Sequence, residues 1–84
     1  MAQVVIYTTQ VCPYCVRAKQ LLSRKGVAYE EVDVSNDADK RQQLVQRTRQ
    51  RTVPQIFIGE QHIGGCDELY ALERAGKLDT LLAA

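Results

Sequence analysis

The first thirty-four residues restrict the fold more than any other part of the chain. "VVIYT" (4–8) is β-branched and aromatic, as a buried strand is. Pro13 suits the first turn of a helix, where its missing N–H is not needed. From Cys15 onward Ala18, Leu21 and Leu22 recur at helical spacing, Arg24 and Lys25 occupy the last turn, and Gly26 ends it. "AYEEVDV" (28–34) alternates as a second strand does. A strand, a helix and a strand in this order form a crossover unit with parallel strands.

The remainder adds to that sheet. "SNDADKRQQLVQRT" opens with capping residues and predicts a second helix from Asp37 to Thr48, with a thin apolar face of Ala38, Leu44 and Val45. "QIFI" (55–58), Gly59-Glu60 and "QHIGG" predict a β-hairpin with a two-residue turn. "CDELYALERAG" predicts a third helix with acidic residues at its start and Gly76 beyond its end, and Leu78, Leu81 and Leu82 pack a last short turn onto the core. The expected order is βαβαββα. This is an α/β fold with a small mixed sheet flanked by helices, in one domain over 1–84.

Composition sets outer bounds. A net charge of +1 in 84 residues gives no global drive toward nucleic acid or membrane. No apolar run approaches the ~20 residues of a membrane span. "MAQVVIYTTQ" lacks a basic segment followed by a long apolar stretch, so a cytoplasmic protein is expected. Three cysteines are too few for a disulfide scaffold. In a reducing compartment a close pair is more often catalytic or metal-binding than structural.

That pair is in "TTQVCPYCVRAK" (8–19). Cys12 falls between the end of a strand and the start of a helix, where free N–H groups and the helix dipole favour an anion and lower a thiol's pKa. Cys15, one turn in, shares its face of the helix and is more recessed. Disulfide exchange needs one accessible thiolate to attack and one recessed thiol to resolve. Two other readings stay open. An inert disulfide is one, and a zinc site counting Cys12, Cys15, His62 and Cys66 is the other, although no second CxxC completes it. By themselves, Cys66 reads as a small residue packed at a helix start and His62 as a polar residue on the exposed face of the hairpin.

"CPYC" after the first strand, "TVPQIFI" (52–58) and "GGCDELYAL" (64–72) together resemble a bacterial dithiol glutaredoxin of the thioredoxin fold, over essentially the whole chain. The resemblance implies a glutathione-dependent thiol–disulfide oxidoreductase acting on protein disulfides and glutathione mixed disulfides. Cys12 would be the nucleophile and Cys15 the resolving thiol. Tyr14 would flank bound glutathione, Thr52 and Val53 would run beside its cysteinyl part, and Pro54 would be the cis-proline facing the cysteines. Gly65, Cys66 and Asp67 match the segment that holds the γ-glutamyl end. Glutathione is then the reductant, no cofactor or metal is bound, and the chain is a monomer. Its partners are glutathione and disulfide-containing or glutathionylated proteins.

Elementary chemistry agrees with these roles. Glutathione is a short peptide with two carboxylates and one amine. It needs a strand edge, donors for anions and an acidic partner. The start of the third helix offers the donors, Asp67 the acid, and Arg51, directly before "TVP", a cation for the glycyl carboxylate. There is one departure. Many glutaredoxins carry a lysine soon after the first strand, where this chain has Thr9. Two further alternatives remain: a redox protein reduced by a thioredoxin reductase, and an iron–sulfur carrier, against which Pro13 argues by stiffening the loop.

Overall fold

The computed structural model describes residues 2–84. β1 is Val4–Thr8, α1 Pro13–Arg24, β2 Glu30–Asp33, α2 Ala38–Thr48, β3 Gln55–Ile58, β4 Gln61–Gly64, α3 Cys66–Arg74 and α4 Leu78–Ala83. The four strands form one sheet in the order β2-β1-β3-β4. β1 runs parallel to β2, and the β1–β3 and β3–β4 pairs are antiparallel. The crossover through α1 therefore makes the parallel pair expected from the sequence.

The register of β1 on β3 explains the two faces of the sheet. Val4 pairs with Ile58 and Ile6 with Ile56, and these four side chains enter the core with Ala18, Leu21 and Leu22 of α1 and Leu69 of α3. Val5 pairs with Phe57 and Tyr7 with Gln55, so these residues belong to the other face, toward α2. β3 is buried along all four residues because both faces are covered. The α2 face is held partly by polar and aromatic contacts. Arg47 places its guanidinium 4.4 Å from the Phe57 ring centroid and donates from Nη1 to Tyr7 Oη at 3.1 Å, while Tyr7 meets Phe57 edge-on. These contacts supplement the thin apolar face of α2, where Leu44 is buried.

Two expectations change. The closing segment is a six-residue helix rather than a short turn, which makes the order βαβαββαα. Leu78 and Leu82, four residues apart, both reach the core, and the Leu82 carbonyl accepts from Ala2 N–H at 3.1 Å. The second strand covers only four residues of the expected seven. It lies at the sheet edge with Glu30, Glu31 and Asp33 exposed, so little apolar burial extends it.

That short strand is pinned by a polar contact. Glu31 Oε2 accepts from buried Thr8 Oγ1 at 2.7 Å and from Lys19 Nζ of α1 at 3.0 Å. The Thr8 hydroxyl first, and the Lys19 ammonium second, hold the Glu31 carboxyl below its usual pKa. A carboxyl depressed in the folded state stabilises above its unfolded pKa, and that contribution is lost as pH falls through the folded value. Wild-type stability should therefore decline on acidification below about pH 4.3, the ordinary glutamate value, and Glu31→Gln should flatten this decline. Urea unfolding midpoints across that range check it; parallel pH profiles for the two proteins would contradict the pin.

Candidate active site

The short loop after β1 delivers Cys12 to the N-cap of α1. Its extended backbone (φ −153°, ψ 95°) precedes Pro13, the first helical residue, and its sulfur accepts from the Cys15 N–H at 3.1 Å. Cys12 and Cys15, with Cα atoms 5.2 Å apart, are joined as a disulfide. Cys12 retains 9% of its surface and Cys15 only 1%, which is the expected order of accessibility. An anion at Cys12 Sγ is met by the Cys15 N–H and by the positive end of the helix dipole.

The loop between α2 and β3 comes to the same place from the far end of the sequence. The Val53–Pro54 peptide is cis, and the Val53 carbonyl oxygen lies 3.8 Å from Cys12 Sγ. A groove of about 520 Å³ begins here. Tyr14 of α1, more than half exposed, forms one border, and Thr52, Val53 and Pro54 form the wall. Gly65, Cys66 and Asp67 at the start of α3 form the far end. Seven of the residues singled out in the sequence thus line one groove.

Arg51 is placed elsewhere. It is exposed and faces the α2 side with Val45, Gln46 and Arg49. Gln50 takes the neighbouring place in the groove wall, and no lysine or arginine lines it among the described residues. His62 also departs from the reading of its sequence position. It is half-buried, lines the groove, bonds to Gln55 and packs its ring 5.0 Å from that of Phe57. Gln50, His62 and Glu68 were not legible as groove residues. Only the strand register and the start of α3 bring them there.

The α3 end is built on two glycines. Glu68 Oε1 accepts from the Gly65 N–H at 2.7 Å, half of a reciprocal cap whose other half glycine cannot supply. The first intrahelical bond runs from Leu69 N–H to the Gly65 carbonyl at 3.1 Å, so the N–H groups of Cys66, Asp67 and Glu68 precede the helical ladder. Gly64 has φ +117°, and a β-carbon there would stand 2.7 Å from Glu68 Oε1. The backbone disfavours a side chain there, and a β-carbon would displace the Glu68 carboxylate from its bond to Gly65. Gly65 has its own close approach, to the Pro54 carbonyl oxygen.

The family profile described as Glutaredoxin matches residues 4–63. The chain belongs to the glutaredoxin family. A glutaredoxin of Pseudomonas aeruginosa is 60% identical over 84 residues, covering all of both chains. Glutaredoxin 3 of Escherichia coli is 57% identical over 82 residues, covering 98% of this chain and 99% of the relative. Among solved structures, a buckwheat glutaredoxin–glutathione complex has TM-score 0.91 at 38% identity, covering 98% of this chain and 77% of its own. A solution structure of glutaredoxin from Brucella melitensis has TM-score 0.89 at 55% identity, covering 98% and 89%. The architecture is thus the thioredoxin-like fold of the family. This glutaredoxin is a thiol–disulfide oxidoreductase with Cys12 and Cys15 as its disulfide-forming pair.

The third cysteine of this glutaredoxin has a different environment. Cys66 is free and buried, and burial pushes its thiol pKa up. In the reduced protein, iodoacetamide at near-neutral pH should label Cys12 first and leave Cys66 largely unmodified until the pH is raised. Peptide mass spectrometry after timed quenching reads the order, and labelling of Cys66 as fast as Cys12 at neutral pH would contradict it.

Proposed function

We propose that this glutaredoxin draws its electrons from glutathione and reduces protein disulfides and the mixed disulfides of glutathionylated proteins. One observation carries the reading. A single groove joins the cysteine pair, the Val53–Pro54 edge and the open N-terminus of α3. That is the sequence of features a γ-glutamyl-cysteinyl-glycine tripeptide needs. The buckwheat relative found in complex with glutathione supports it.

On this reading the cysteinyl part lies along Thr52 and Val53, with its sulfur toward Cys12 and Tyr14 at its flank. The γ-glutamyl carboxylate meets the N–H groups of Cys66 and Asp67, and its amine meets the Asp67 carboxylate. Gly65 has no side chain to block that approach. A reducing cytoplasm, where glutathione is abundant, fits this use.

The Cys12 thiolate attacks the glutathionyl sulfur of a mixed disulfide. A bond forms between Cys12 and glutathione, the old S–S bond breaks, and the protein thiolate leaves with the electron pair. A second glutathione thiolate then attacks this adduct, giving oxidised glutathione and restoring Cys12. On a protein disulfide, the Cys12 adduct is instead displaced internally by the Cys15 thiolate, which releases the reduced target and leaves the Cys12–Cys15 disulfide. Two glutathiones then reduce that disulfide.

The two cysteines should therefore fail differently. Cys12→Ser should abolish all exchange, since a serine hydroxyl is not ionised near neutral pH. Cys15→Ser should keep glutathione removal and lose most reduction of protein disulfides. Turnover on both substrate types, with glutathione and glutathione reductase or with thioredoxin reductase as the electron source, tests this. Turnover from thioredoxin reductase alone, with none from glutathione, would falsify the proposed reductant.

The far end of the groove has its own test. Asp67→Ala should raise the KM for glutathionylated peptide roughly five-fold, the scale of a partly exposed charge-assisted contact, with the fold intact. Arg51→Ala should have a smaller effect, because Arg51 lies toward α2. Wild-type kinetics in Asp67→Ala would remove Asp67 from the site, and a larger loss in Arg51→Ala would return the glycyl carboxylate to Arg51.

A further inference from the structure

The disulfide chemistry does not account for a polar network inside the groove wall. Gln55 is 0% exposed and opens β3, a strand whose other residues are apolar. A buried amide is tolerated only when its donors and acceptor are satisfied, so its partners are informative. Its Nε2 lies 2.9 Å from the Thr52 carbonyl oxygen, 3.3 Å from Thr52 Oγ1 and 2.9 Å from Gln50 Oε1. Its Oε1 lies 2.7 Å from His62 Nε2.

These contacts have a forced direction. The Thr52 carbonyl can only accept, so the Gln55 NH2 group must face it. Gln55 Oε1 therefore faces His62, and His62 Nε2 carries a hydrogen. Gln50, receiving a Gln55 N–H, turns its oxygen inward. The Gln50 NH2 group is left for the groove that Gln50 lines. One backbone carbonyl thus sets the polarity of three side chains. His62 is held from its other side by Phe57, over whose ring Arg47 of α2 lies. The network thereby couples the loop carrying Gln50 and Thr52 to the end of α2.

We propose that Gln55 and His62 are positioning residues of the glutathione groove. They hold Thr52 and Gln50 so that the wall presents amide N–H donors, with Gln50 donating to the glycyl carboxylate of the glutathionyl group. Two features give Gln50 that place. No lysine or arginine lines the groove among the described residues, and Arg51 faces the α2 side. A primary amide whose oxygen is already engaged is a neutral anion donor with its direction fixed beforehand. The inference rests on the reading of this groove as a glutathione site.

The test compares Gln55→Glu, His62→Leu and His62→Gln with the wild type. Gln55→Glu replaces donors by acceptors, repels the Thr52 carbonyl and reverses Gln50. His62→Leu removes the donor to Gln55 Oε1, and His62→Gln restores one. Two substrates are used. One is a glutathionylated peptide, and the other is the same peptide carrying γ-glutamylcysteinylglycinamide, in which a neutral amide replaces the glycyl carboxylate. Gln55→Glu and His62→Leu should raise KM for the glutathionylated peptide roughly ten-fold with kcat little changed. They should lose preference for it over the amidated substrate, and His62→Gln should recover both. The alkylation rate of Cys12 should be unaffected in all three. If Gln55→Glu does not fold, the His62 pair carries the comparison. Reduced thermal stability with an unchanged KM and an unchanged substrate preference would make the network merely structural and overturn the proposal. A wild type that does not distinguish the two peptides, yet still saturates with the glutathionylated one, would remove Gln50 from the glycyl end. A wild type that does not saturate at all would overturn the groove reading beneath it.

Discussion

The antiparallel pairing of β1 with β3 is the constraint from which the rest follows. Tyr7 at the end of β1 lies opposite Gln55 at the start of β3. The loop leaving β1 and the loop entering β3 must therefore emerge at the same edge. That geometry brings Cys12 to Val53 across 41 residues of chain. The pairing is made secure by apolar burial on one face, since Val4, Ile6, Ile56 and Ile58 are all almost fully buried. A slip of β1 by one residue would turn Val4 and Ile6 toward α2 and bring Tyr7 toward the core, so the register is strongly specified. The placement of Cys12 beside Val53 thus follows from the core.

Charge is handled in this groove with few charged groups. Two helices aim their N-termini into the same region, α1 at Cys12 and α3 at the opposite end. Each offers backbone donors that cannot be satisfied within the helix. Three of the four lysines are engaged elsewhere, Lys19 with Glu31, Lys25 with Glu73 and Asp79, and Lys40 more loosely with Asp37. The uncharged Thr9, in the loop between β1 and Cys12, is consistent with the same pattern. Backbone donors are fixed in direction and carry no side-chain entropy. A mobile lysine at the edge of the groove has neither property.

The parts of this arrangement that depend on local sequence could be read from it. The strand at Val4–Thr8, the Pro13 start of α1 and the Gly59-Glu60 turn each depend on residues within a few positions. The structure has all of them. The three glutaredoxin motifs were visible because their chemistry is concentrated in short runs, "CPYC", "TVP" and "GGCD". What was obscure depends on pairing at a distance. His62 looks like any polar residue in a hairpin until β4 sets it beside Phe57 and Gln55. Arg51 looks well placed beside "TVP", yet adjacent residues in an extended segment face opposite ways. The helix at Leu78–Ala83 is too short for periodicity to declare and forms because the core accepts Leu78 and Leu82.

The helix terminus at Cys12 has a consequence for the direction in which exchange is made fast. A thiol with the ordinary pKa of ~8.5 is only about 3% thiolate at pH 7. Any lowering of that pKa raises the thiolate fraction, and with a Brønsted slope of about 0.4–0.5 it also makes the thiolate itself less nucleophilic. The two effects offset each other in part for a cysteine acting as attacker. They do not cancel for Cys12 as leaving group, because a stabilised thiolate departs faster from a mixed disulfide. Stabilisation at the α1 terminus therefore speeds mainly the step in which the Cys12 adduct is released. On the proposed reading that step is attack by a second glutathione on the glutathionyl sulfur of the adduct, which releases Cys12 as the thiolate, and the groove that holds the first glutathionyl group directs the second to that sulfur rather than to Cys12 Sγ.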